Sequence, residues 1–271
     1  MEGVSKKNVA KSKPFKFIVG SSRTEYTIHS ALVAHQSSAL GVLVNGNFQE
    51  STDFSVHWED IDEIVFVSFW QFAYTGDYDT PKPIPPTTET SSKQEVSPAT
   101  TTSGEQVPNQ QNTQTPPQAY NSARSAPQTK TAEKEKKFQE LWRKFRNDWA
   151  RPITTYEVDE TLKEYANPLV HHAKVYTLAD RYAITRLMEV SFNRLHQSLM
   201  DYYTRGGEDM VVELVRFACE NLVPDDLRDL VVHYVTCTVE HLWEFKEFQE
   251  LVEKHGVLSK ELVGMMLLRL D

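Results

Sequence analysis

The chain of 271 residues carries 38 acidic against 29 basic side chains, a net charge of −9, which leaves no basic surface of the kind that phosphate neutralisation in nucleic-acid binding demands. Its hydrophobic content of 39% and the lack of any apolar run near the roughly 20 residues needed to cross a bilayer exclude a membrane-spanning chain. The length allows one large or two modest domains.

Residues 1–13 are lysine-rich without the apolar stretch of a signal peptide and are expected to form a flexible, solvated tail. Phe15, Phe17 and Val19 alternate with Lys16 and Ile18, Gly20 to Arg23 make a polar turn, and Glu25 to Ile28 give a second extended run, which together predict a β-hairpin. After His29-Ser30, Leu32 and Val33 present the apolar face of a short helix. Ser37-Ser38 opens another, with Leu40, Leu43 and Val44 at helical spacing and Asn45-Gly46 as its stop. Phe54, Val56 and Trp58 alternate as a third strand. Asp60-Ile61-Asp62 then caps a helix whose apolar residues Ile64, Val65, Val67, Phe69, Phe72 and Ala73 run to Thr75-Gly76.

Between Asp79 and about Thr131 the composition shifts: nine of the 13 prolines fall there amid Ser, Thr, Gln and Asn, with Ile84, Val96, Val107 and Tyr120 as the large apolar or aromatic residues. Too little apolar surface is present to offset ordering entropy, so residues 80–131 are expected to be a disordered insertion. A tolerated loop and a phosphorylation-responsive linker, suggested by Ser97-Pro98 and Thr115-Pro116, both remain open readings. Phe138, Leu141, Trp142, Phe145 and Trp149 then mark one face of an amphipathic helix, expected to dock on its own domain and to end at Arg151-Pro152. Pro168 starts a helix bearing Leu169, Ala173, Val175 and Leu178, followed by one bearing Ile184, Leu187, Met188, Ser191, Phe192 and Leu195. Residues 207–271 read as a helical extension: Met210 to Cys219, Pro224 to Val239, Lys246 to His255, and a last helix capped by Ser259.

The order strand, strand, helix, helix, strand, helix, together with Val19-Gly20, His29, Leu32, Ala34, Ser37, Phe48, Glu50-Ser51 and the run Ala73 to Tyr78, resembles a BTB/POZ domain of the kind abundant in fungi. Ala179 to Tyr182 is similar to the A-[DE]-[KR]-[YF] junction of that family's last helical pair, so the domain (14–79 and 132–200) is expected to be split by the insertion. The chain differs from animal members at Pro14, Ser30 and Ala39-Leu40. The expected fold class is therefore α+β, a BTB/POZ fold of short strands with flanking helices, interrupted by a disordered insertion and followed by a C-terminal helical extension.

The resemblance implies a non-enzymatic protein–protein interaction module, a scaffold that oligomerises with itself or with other BTB proteins. Family dimers use the first strand and first helix, which here puts Phe15, Phe17, His29, Leu32 and Val33 forward as contact residues. An alternative is a substrate adaptor of a cullin-type ubiquitin ligase, for which the region Asp62 to Tyr78 would bind the cullin and Asp62, Glu63, Tyr74, Asp77 and Tyr78 are the candidates. Transcriptional co-regulation is a second alternative, with no zinc-finger or basic DNA-binding segment beside it.

No catalytic, cofactor-binding or metal-ligating set is expected. His171-His172 is the most suggestive histidine pair, yet adjacent helical side chains point about 100° apart and no second pair stands at ligand spacing, so a surface or capping role is expected. Cys219 and Cys237 lie in apolar helical patterns and read as buried reduced thiols, which points to cytosol or nucleus. Glu59-Asp60, Asp62-Glu63 and Asp225-Asp226 stand at helix starts, where the backbone dipole favours negative charge, and read as capping groups.

Overall fold

The computed structural model describes residues 4–82, 128–149, 166–205 and 207–267. The segment expected to be a tail holds a short helix, α1 (Lys6–Lys11), with no buried side chain. β1 (Pro14–Val19) buries Phe15, Phe17 and Val19 and leaves the intervening residues half covered, the period of two that one core-facing side imposes. Gly20 takes a left-handed φ of 67° and its carbonyl accepts from Arg23 N–H at 3.1 Å, so the chain reverses. β2 (Thr24–His29) then pairs antiparallel with β1, Phe17 opposite Tyr26.

A parallel neighbour requires a crossover. Here it is helical: α2 (Ser30–Gln36), α3 (Ser38–Asn45) and α4 (Gln49–Asp53) return the chain to β3 (Ser55–Trp58), which pairs with β1 in parallel and gives the order β2-β1-β3. Ser37 caps α3 as expected, its hydroxyl accepting from Leu40 N–H at 3.1 Å. The sequence reading missed α4, because it lacks a usual cap: Phe48 occupies the N-cap without a side-chain bond and Phe54 ends the helix at φ 50°.

α5 (Glu63–Thr75) ends at Gly76, whose φ of 83° terminates the helix while its N–H donates to Phe72 O. After Lys82 the chain resumes description at α6 (Gln128–Asp148), then α7 (Pro168–Arg181) and α8 (Thr185–Arg205). Pro168 stands in the first turn of α7, and the Asn167 side chain accepts from Leu169 and Val170 N–H. The expected insertion and the stop at Arg151-Pro152 fall largely in residues 83–127 and 150–165, outside the described residues, but 128–131, expected to be disordered, form the first turn of α6.

Four further helices follow: α9 (Glu208–Glu220), α10 (Asp225–Leu242), α11 (Lys246–Lys254) and α12 (Gly256–Leu267). α12 starts before the expected cap. Ser259 is inside it, its hydroxyl donating to the Val252 and His255 carbonyls. Asp225 and Asp226 do occupy the first turn of α10, although Asp225 also pairs with Arg228 at 3.2 Å. Among the described residues no helix is long and apolar enough to cross a membrane.

The architecture is mixed α+β, as the sequence predicts, with a small sheet and many helices. Its buried side chains form two clusters. One surrounds the sheet and α5, and takes in Val175, Leu178, Ala179, Ile184 and Leu187 from α7 and around the start of α8. The other joins α6 to the C-terminal helices through Leu141, Trp142, Phe145, Phe192 and Leu230, so the amphipathic helix docks on its own chain.

Candidate protein-interaction surface

Of the contact residues suggested by the sequence, five are enclosed. Phe15, Phe17, Val33 and Tyr78 are fully buried and Asp77 is 4% exposed. The alternating apolar residues of β1 enter the sheet core, where Phe17 packs against Phe66 of α5 at 5.1 Å and Trp58 of β3 at 4.8 Å between ring centroids. A residue so placed cannot meet a partner without opening the core, and these positions are corrected to structural ones.

The remaining candidates lie on two surfaces. On the first, the Tyr74 hydroxyl accepts from His29 N–H at 3.3 Å and is hydrogen-bonded to His29 Nδ1 at 2.9 Å. Trp70, one turn earlier on α5, stacks near Tyr74 at 4.8 Å and donates its indole N–H to Thr27 O. Tyr74 nevertheless remains 40% exposed, and Leu32 is half-buried on the helix that His29 begins.

Val42 and Phe48, at the tip formed by α3 and α4, are 54% and 57% exposed. The Phe48 ring lies over Gly46, where an added Cβ would come within 3.1 Å of the ring and 2.4 Å of Val42 O. Gly46 therefore lets the ring settle against the end of α3. The sequence held a signal for this: Val42 is out of phase with the core stripe of Leu40 and Val44, and both of those are buried.

The second surface is charged. Arg23 pairs with Glu59 at 2.6 Å, Arg181 with Asp60 at 2.5 Å and Lys174 with Asp62 at 2.5 Å, and the Tyr26 hydroxyl donates to Glu63. These acids were expected to cap α5, yet Asp62 at its N-cap makes no side-chain cap bond. Lysine and arginine from α7 compete for them, because α7 packs alongside. Exposed pairs of this kind contribute about 0–1 kcal/mol each. A groove of about 300 Å³ runs beside them, edged by Ile61, Phe217 and Leu222, the last 94% exposed.

Beneath lies a polar network that the sequence did not reveal. His171 and His172 are 3% and 1% exposed, not at the surface. Ser68 donates to Ile64 O, so His171 Nε2 donates to the Ser68 oxygen at 2.9 Å and its Nδ1 is left buried without a partner. Burial lowers the His171 pKa to about 4, with Lys174 adding to the shift, and holds His172 well below the usual histidine value. Tyr78, raised far above the phenol range by burial, stays protonated and donates to His172 Nδ1 at 2.8 Å. Arg194 closes the network, donating to Asp77 at 2.7 Å while its guanidinium lies 4.6 Å from the Tyr78 ring centre.

Among the described residues no group of three or more histidine, cysteine or acidic side chains is placed to hold a metal ion. Cys237 is buried as expected, whereas Cys219 is half-buried, with burial as the main cause of a thiol pKa of about 11. Compared with models of known protein families the chain matches none, and compared with curated proteins it again finds no match.

Proposed function

We propose that the chain is a non-enzymatic protein–protein interaction module of BTB/POZ type, acting as a scaffold through the tip formed by α3 and α4. One observation carries this reading: Val42 and Phe48 stand more than half exposed on a helical crossover whose Val33, Leu40 and Val44 are buried and whose Leu32 and Leu43 are half-buried. Single exposed apolar residues are ordinary on protein surfaces. A phenylalanine and a valine exposed on either side of Gly46 at one helix end make a better contact patch. The strand order and the completion of the first core by α7 and α8 also support the BTB reading.

Light scattering of the wild type and of Val42→Asp/Phe48→Asp tests it, together with mass spectrometry of proteins co-purifying with each. The expected outcome is a self-association or a partner set present in the wild type and lost in the folded double variant. A wild type that stays monomeric and a partner set indifferent to the variant would sink the reading.

The groove edged by Asp62 and Leu222 favours a second reading, a cullin-binding adaptor, since it lies beside the start of α5. Leu222→Arg leaves the core untouched and should then abolish recovery of a cullin that Phe48→Asp leaves bound.

A further inference from the structure

Away from these surfaces, α9, α10 and the α11–α12 junction line a half-open cavity of about 330 Å³. That is the lower end of the roughly 300–1,000 Å³ usual for small-molecule sites. Val215 and Ala218 from α9, Val231 and Val232 from α10 and Leu258 from α12 make it mainly apolar. At its mouth stands Gly256, where an added Cβ would meet nothing within 4 Å.

Arg228, Lys254, His255 and Glu261 break the apolar lining, and the last two are short of partners. Glu261 Oε2 and His255 Nε2 are buried without a hydrogen bond; the nearest acid to the imidazole nitrogen, Glu220, is 4.0 Å away. The cations beside them are committed elsewhere, Arg228 to Asp225 at 3.2 Å and Lys254 to Glu220 at 2.9 Å. A buried carboxylate oxygen without a partner is costly, and the terminal torsion of the half-buried Glu261 is broad enough to turn that oxygen toward the cavity. Cys219 supplies no competing nucleophile, since its thiol stays protonated.

We propose that this cavity binds a small amphipathic amine, its hydrocarbon part against the valine and leucine walls and its ammonium group bonded to Glu261, with His255 Nε2 as a second acceptor. An anionic ligand would find both neighbouring cations already paired and would face the Glu261 charge.

Valine and leucine methyl NMR of the full chain, titrated with 2-phenylethylamine, 2-phenylethanol and 3-phenylpropionate, tests the proposal. The amine is expected to give saturable shifts confined to Val215, Val231, Val232 and Leu258, with the alcohol binding about tenfold weaker or less. Glu261→Gln, nearly the same size, should weaken the amine about tenfold without changing the alcohol, and Ala218→Met should fill the cavity and abolish both. Should Ala218→Met unfold, Glu261→Gln decides alone. No saturable amine shift, equal binding of the carboxylate, or unchanged amine affinity in Glu261→Gln would each overturn the assignment.

Discussion

His171 and His172 are neighbours that meet different partners, because adjacent positions on a helix diverge by about 100°. One turns to Ser68 on α5 and the other to Tyr78. Expected at the surface, they are buried because α7 is covered on more than one side: Leu169, Ala173 and Tyr176 enter one core while Val175, Leu178 and Ala179 enter the other. The burial has a pH consequence. The folded state keeps His171 neutral down to about pH 4, whereas the unfolded chain binds a proton near pH 6.5, so the unfolded state holds more protons between those values. Stability is complete above about pH 6.5 and falls as pH drops toward 4, by about 2 kcal/mol between pH 7.5 and 5 from His171. His172, His196 and His233, lowered by burial too, act in the same direction. Urea midpoints across this range should show the loss, and His171→Leu should reduce it; a midpoint equal at pH 7.5 and 5 in the wild type contradicts the account.

At the scale of elements, the chain leaves the first core at Lys82 and re-enters beside it, Ala166 N–H donating to Lys82 O at 2.9 Å. Residues 83–127 therefore connect ends that α6 and α7 already hold, and loop-closure entropy changes slowly with length. Deleting 83–127 should leave the thermal midpoint within a few degrees of the wild type, as read by calorimetry. A collapse of the transition would show that the segment carries structure. Phe145→Ala on α6 is the contrasting case. Its ring is fully buried against Trp142, His196 and Tyr234, and truncation should cost about 3–5 kcal/mol in urea denaturation. The apolar face of α6 was legible from its spacing. α4 was not, because a five-residue helix has too few positions for periodicity to register.

Across the whole molecule, α7 and α8 couple the two cores. Ile184, just before α8, and Leu187 on it belong to the sheet cluster, while Phe192, Leu195 and Leu199 of α8 belong to the helical one. Neither core is complete without them. A fragment ending at Lys82 would expose the apolar side of α5 and lose the Asp77–Arg194 pair, whose buried carboxylate is costly to leave unpaired. Residues 1–82 alone should show no cooperative unfolding transition by circular dichroism, and a sharp transition from that fragment would refute the coupling.

Local periodicity by itself determined the strands, the main helices and which residues share a face: Phe15, Phe17 and Val19 on β1, Leu141, Trp142 and Phe145 on α6. These signals need only the backbone repeat of each element. What covers a face was decided only in three dimensions, since the pairs Asp60–Arg181 and Asp62–Lys174 join residues 121 and 112 positions apart. The same long-range packing sealed Phe15, Phe17, Val33 and Tyr78 inside, left Val42 and Phe48 outside, and buried two histidines that a helical wheel leaves unassigned. A repeat fixes the direction of a side chain relative to its own axis, and only the neighbouring elements fix whether water or protein stands there.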